Sequence, residues 1–191
     1  MSKNISKKIN DTEIRLGEVR FGYVHVFSPQ LDEKGQPDKY SVCIMIPKDN
    51  KEAVRLIEEA VEAAKVNGKA GKWGGKLPSG ERMNPLHDGD EDRSNRPEYE
   101  GMYYLNAKNK TKPGIRILED GHLSEPLDES EFYSGCWGAA TVTLFAYAHT
   151  SGSKGIGVSL GNVIKTRDDE RLSGGVSADS AFSDLADDFD L

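Results

Sequence analysis

The sequence predicts a mainly β protein: a small barrel of five or six strands, with one inserted helix at about 49–67 and an acidic C-terminal tail. Three observations carry this reading. Short apolar or alternating runs are separated by Gly- and Pro-containing turns. A single stretch has helical periodicity. No strand–helix–strand alternation of the kind that builds a parallel sheet is present.

Taken in order, MSKNISKKINDT (1–12) carries charges and no apolar run, and is expected to be a flexible lead-in to a domain spanning 13–167. GEVRFGYVHVF (17–27) is rich in β-branched and aromatic residues and stops at Ser28-Pro29. In KYSVCIMIP (39–47), Tyr40, Val42, Ile44 and Ile46 alternate with Ser41, Cys43 and Met45, the signature of a half-buried strand closed by proline. Gly35-Gln36-Pro37-Asp38 lies between the two runs, so they are expected to pair as a hairpin. DNKEAVRLIEEAVEAAKVNG (49–68) opens with Asp49 and Glu52 at capping-box spacing, repeats Val54, Ile57, Val61 and Ala64 on one face, and reaches Gly68 where a helix would end. Residues 68–101 form a long polar insertion, a length that is uncommon unless the loop carries function or is disordered. Further strands are expected at 102–108, 114–118, 135–149 and 154–165.

Charge is unevenly placed. The chain of 191 residues has 25 basic and 32 acidic residues, a net charge of −7. From Asp168 onward there are eight acidic residues and one basic, Arg171, so the remaining 24 of each sign leave residues 1–167 neutral. A segment this charged and this poor in apolar residues cannot bury enough surface to fold, so 168–191 is expected to be a disordered tail. The two cysteines, Cys43 and Cys136, lie in strand-like runs and read as buried free thiols. The N-terminus lacks the apolar core of a secretory signal and no stretch approaches the ~20 apolar residues of a membrane span, so a cytoplasmic protein without a membrane partner is expected.

Enzymatic patterns fail one by one. AGKWGGKL (70–77) has Ala70 where a phosphate-binding loop needs Gly, and Leu77 where it needs Ser or Thr. GIGVSLG (155–161) has the wrong glycine spacing for a dinucleotide fingerprint. DGDED (88–92) alternates acids like a calcium loop, but Arg93 and Tyr99 stand where that loop needs Gly and Glu. His25, His87, His122 and His149 are scattered, and neither cysteine has zinc-ligand spacing. No metal, cofactor or catalytic residue is expected. The rival reading is a metal-dependent nuclease using Asp88, Asp90 and Asp92.

The positive features are two acid-poor segments that combine cations with aromatics. The first holds Lys69, Lys72, Trp73, Lys76 and Arg82; the second holds Tyr104, Asn106, Lys108, Lys110, Lys112 and Arg116. Lys and Arg neutralise phosphates, and flat side chains stack on bases that lack a partner strand. These residues are therefore the expected contacts to a single-stranded nucleic acid. Trp73, flanked by glycines and lysines, is expected on the surface. Tyr104 shares a strand face with Asn106 and Lys108 and is expected there too, whereas Tyr103 shares its face with Leu105 and Ala107 and fits core or surface equally. In KGIGVSLGN (154–162), one strand face carries only Gly155, Gly157, Ser159 and Gly161, which suits either close approach of a base or backbone or a bulged barrel corner.

YYLNAKNKTKPGIRI (103–117), DGDEDR, SEFYSGCWGAATVTLFAY (130–147) and KGIGVSLGNVIKTRDDERLSGG (154–175), followed by the acidic tail, resemble the single-stranded-DNA-binding proteins of tailed phages and prophages. The resemblance implies an OB-fold barrel that coats single strands in phage replication or recombination. It also implies that the tail recruits replication or recombination proteins, with Phe182, Leu185, Asp187, Asp188, Phe189, Asp190 and Leu191 as the contact residues. Related tails usually finish on Phe, whereas here Asp190 and Leu191 follow Phe189. Tethered beside basic patches, the tail's carboxylates would compete with phosphates, and its removal would admit weak duplex binding.

Overall fold

The computed structural model describes residues 5–172. Its strands are β1 (Lys7–Lys8), β2 (Glu13–His25), β3 (Tyr40–Pro47), β4 (His87–Asp88), β5 (Met102–Asn109), β6 (Ile115–Glu119), β7 (His122–Ser124), β8 (Trp137–Ala148) and β9 (Lys154–Arg167). The helices are α1 (Lys51–Ala70) and the short α2 (Gly89–Asp92). β2 pairs antiparallel with β3 and β8, β3 with β5, and β8 with β9. A parallel pairing of β5 with β9, through Lys108 and Ser159, closes the ring into a five-stranded barrel. The expected hairpin of 17–27 with 39–47 is the β2–β3 pair.

Alternation alone does not explain β2. Ile14 and Leu16 face the core, and so do Val19 and Phe21, although the two pairs differ in parity. The register against β8 shifts between Leu16 and Val19, and Glu18 takes a left-handed backbone (φ 53°). One extra residue resets which face looks inward, so the strand bends around the barrel while keeping apolar groups inside.

The helix packs on β8 and β2 through Ala53, Leu56, Ile57, Ala60, Val61 and Ala64. Each fully buried Leu or Ile there contributes roughly 1.5–3 kcal/mol. Its ends differ from the expectation. The cap is Asn50, whose side chain accepts from the Ala53 amide at 3.3 Å. The helix also runs past Gly68, because that glycine is a contact: a Cβ there would lie 2.6 Å from Ala146 and 2.7 Å from the Trp73 ring.

Three boundaries also shift. Residues 5–12 are not a loose lead-in: β1 pairs with β2, and the Gly17 amide donates to the Ser6 hydroxyl at 2.9 Å. The 68–101 insertion is largely folded, with β4 pairing on β5 and α2 packed beside it. The first residues of the expected tail, 168–172, are held on the barrel. Asp168 accepts from Tyr133 at 2.7 Å and pairs with Lys165 at 2.8 Å. Asp169 accepts from the Trp137 indole at 2.8 Å, and the Leu172 amide donates to the Ser134 carbonyl at 2.8 Å. Phe182, Leu185, Asp187, Asp188, Phe189, Asp190 and Leu191 lie outside the described residues.

Candidate nucleic-acid interface

On the outer face of the barrel, β5, β8 and β9 and the 82–87 segment enclose a groove of about 580 Å³. Its cations are Lys39, Arg82, Lys108 and Lys110, and no acidic side chain is among the described residues that line it. Phe145, Tyr147 and His149 line one wall. Phe145 and Tyr147 stand at alternate positions at the end of β8, opposite in facing to the buried Val142 and Leu144, and His149 follows just past the strand end. Phe145 is 41% exposed, and the Tyr147 and His149 rings lie 4.7 Å apart.

The glycines of β9 explain how that wall is built. Phe145 is directly opposite Gly157, and Tyr147 opposite Gly155. A Cβ at Gly157 would strike the Phe145 ring, and one at Gly155 would sit 2.7 Å from the Tyr147 hydroxyl. The bare strand face thus admits the chain's own aromatic rings, which lie over the β9 glycines and line the groove.

Of the residues expected from the sequence, Arg82, Asn106, Lys108 and Lys110 line the groove together. Lys69, in the last turn of α1, and Lys72 and Lys76, on the turn that follows, are exposed and are not among the residues that line the groove. Lys112 is exposed on the β5–β6 connection. Arg116 lies by a separate cleft and faces Glu125 at 3.5 Å.

Two expected aromatic contacts are corrected. Trp73 is 3% exposed and belongs to the main core. Its indole N–H donates to the Tyr147 carbonyl at 3.0 Å, so a buried polar group is satisfied and the turn is pinned to β8. Tyr104 is 5% exposed. It does share a face with Asn106 and Lys108, but the insertion folds over it: His87 stacks on the ring at 4.9 Å, Tyr99 packs edge-on at 5.4 Å, and Asp92 accepts from its hydroxyl at 3.2 Å. Tyr103 packs partly buried against the core.

The carboxylates of the nuclease reading are engaged in holding that insertion. Lys48 pairs with Asp88 and Asp90, both at 2.7 Å, and its ammonium holds both carboxyls below their usual range. Asp88 also caps α2 through the Asp90 amide, and Asp90 accepts from the Gly101 amide at 3.0 Å. Asp92 is turned to Tyr104. The three groups point to three structural tasks. Cys43 and Cys136 are buried free thiols, and burial pushes Cys136 up to about 11, so it is protonated and inert at neutral pH.

A closed five-stranded barrel in which the third and fifth barrel strands run parallel is an OB fold, a class whose outer strand face binds oligonucleotides or oligosaccharides. Comparison with known proteins narrows the class. Residues 12–191 match the family described as Enterobacter phage Enc34, ssDNA-binding protein, and the chain belongs to that family. It is 31% identical over 183 residues to putative protein p50 of Acyrthosiphon pisum secondary endosymbiont phage 1, covering 91% of this chain and 94% of that one. The structure of the Enc34 single-stranded-DNA-binding protein in complex with ssDNA is similar with a TM-score of 0.74 and 28% identity, over 91% of this chain and 100% of that chain. The gp2.5 single-stranded-DNA-binding protein of bacteriophage T7 shares the fold, with a TM-score of 0.55 at 16% identity over 94% of each chain.

Proposed function

We propose that this protein binds single-stranded DNA without sequence preference along the β5–β8–β9 groove and coats it during phage replication or recombination. The observation that carries the reading is the groove's composition: cations and exposed aromatic rings with no carboxylate among its described lining residues. Lys39, Arg82, Lys108 and Lys110 would neutralise phosphates, and Phe145 and Tyr147 would stack on bases. Family membership supports the same reading, because the related Enc34 protein was solved with ssDNA bound. No catalytic step is assigned, and the protein acts by occupying the strand.

In this reading the residues after 172 carry regulation. Their carboxylates compete with phosphates for the groove, and Phe182, Leu185, Phe189 and Leu191 give replication or recombination proteins of the host cytoplasm an apolar hold. Truncation at 175 removes five acidic and no basic residues, which moves net charge from −7 to −2. The truncated protein should bind labelled single strands more tightly at low salt, with the gain fading as ions screen tail and phosphate alike. Duplex binding should emerge, and thermal stability should stay unchanged. Anisotropy titrations at several salt concentrations measure all but the last, and equal affinity of the two forms at low salt would contradict the competition.

A further inference from the structure

Outside the groove, a cluster at the β2–β3 irregularity also joins cations to aromatic rings. Tyr23 sits where β2 loses register with β3, between Gly22 and His25, and its backbone is left-handed (φ 45°). A bulky residue rarely takes that conformation, and bulges are used to re-aim a side chain. Here the result is a tyrosine 46% exposed on the outer face.

Two arginines of the insertion converge on it. Arg93 lies 5.6 Å from the Tyr23 ring and donates to its hydroxyl at 3.3 Å; Arg96 lies 5.3 Å from the ring and also donates to that hydroxyl. Arg96 has a carboxylate partner, Glu98, at 3.0 Å. Arg93 has no ion-pair partner among the described residues, although Asp90 and Glu100 line the same cleft, and it lies against the rings of Tyr99 at 5.0 Å and Tyr104 at 4.9 Å. A half-buried guanidinium held among rings and left without a paired carboxylate is free to take an anion.

The cluster is continuous with the groove. His87 lines the groove and stacks on Tyr104 at 4.9 Å, and Arg93 lies against the same Tyr104 ring. Tyr104 is opposite Met45 in β3, and Gly22, next to Tyr23, is opposite Cys43 in the same strand. The route from groove to Tyr23 therefore crosses two strand spacings, roughly 10 Å, which a nucleotide or two of extended single strand would span.

We infer that Tyr23, Arg93 and Arg96 form a second subsite that takes the flank of a bound single strand, with Arg93 and Arg96 on a phosphate and Tyr23 under a base. The inference rests on the groove reading, and the test separates the two. Tyr23→Gly removes the ring while glycine accepts the left-handed backbone without strain, and a thermal melt checks that the fold is kept. Affinities are measured for deoxythymidine oligonucleotides of about four and about twenty residues. Tyr23→Gly should leave the short oligonucleotide unaffected and weaken the long one about tenfold, the size of one lost stack. Arg93→Gln should lower the salt slope for the long oligonucleotide by about one, and Arg93→Lys should restore it. Unchanged binding of Tyr23→Gly at both lengths, or equal weakening at both, overturns the subsite while leaving the groove in place. Failure of the unmutated protein to bind either length overturns the groove and the subsite together.

Discussion

Two regions of this barrel use the same residue types for opposite ends. At one corner, Arg20, Lys165 and Arg167 surround Trp137 and Tyr133: Arg20 and Arg167 lie 5.9 and 4.1 Å from the Trp137 ring. The chain supplies its own anions there. Asp169 faces Arg20 at 3.6 Å, Asp168 pairs with Lys165, and the Glu170 carbonyl accepts from Arg20 at 2.9 Å. In the groove, Arg82, Lys108 and Lys110 stand beside Phe145 and Tyr147, and no carboxylate is among the described residues that line it. Cations and rings together do not define a DNA site. The missing counter-charge does, because a phosphate must supply what the chain withholds.

Substitutions test that distinction, beginning with the largest effect. Trp73→Ala should cost about 3–5 kcal/mol of stability by emptying a core position, with no DNA-binding defect in the fraction that stays folded. Thermal melts with and without oligonucleotide separate the two effects and would place Trp73 on neither side of the comparison. Phe145→Ala and Tyr147→Ala should each weaken binding by about 1–3 kcal/mol, whereas Trp137→Ala should loosen the corner and leave affinity unchanged. A binding loss in Trp137→Ala as large as in Phe145→Ala would erase the contrast.

Charge deletions give a smaller and different signature. Replacing Arg82, Lys108 or Lys110 by Ala should reduce the salt slope by up to about one unit each, and Arg20→Ala or Lys165→Ala should leave it alone. The smallest effect concerns pH. The Trp137 indole holds Asp169 below the usual carboxylate range, and Lys165 with Tyr133 does so for Asp168. A depressed carboxylate contributes stability above its unfolded value of about 3.9 and loses it as pH falls through the lower folded value. The corner should therefore release 168–172 only in that acid window, seen as a change in Trp137 emission, and hold throughout neutral pH. Release at pH 6 would show that the contacts do not hold the strap.

Much of this was legible in the sequence. Apolar, β-branched and alternating runs between turn residues placed the six main strands within a few residues, and the 3.6-residue stripe placed the helix. The basic run after Tyr104 led to Asn106, Lys108 and Lys110, because strand parity puts them on one face. Parity cannot say what covers a face, and so Tyr104 was expected in the open although the insertion lies over it. Trp73 misled for a similar reason: its Gly and Lys neighbours look solvated, yet Gly68 leaves room for the ring beneath them. Phe145 and Tyr147 were hidden in an apolar run that reads as core. The signal for them was present as pairing: aromatic residues at every second position of one strand and glycines at every second position of the next. Local pattern shows which side a residue takes; only the closed barrel shows which side remains open.

The central claim is that single-stranded DNA occupies the groove, whose described lining carries no acid, and avoids the self-neutralised corner. Titrating the isotope-labelled full chain with a short oligodeoxythymidine and following amide and indole resonances tests it directly. The amides of Asn106, Lys108, Phe145 and Tyr147 should shift progressively to saturation while the Trp137 indole and Asp169 amide stay in place. Shifts concentrated at Trp137 and Asp169, with the groove silent, would contradict it.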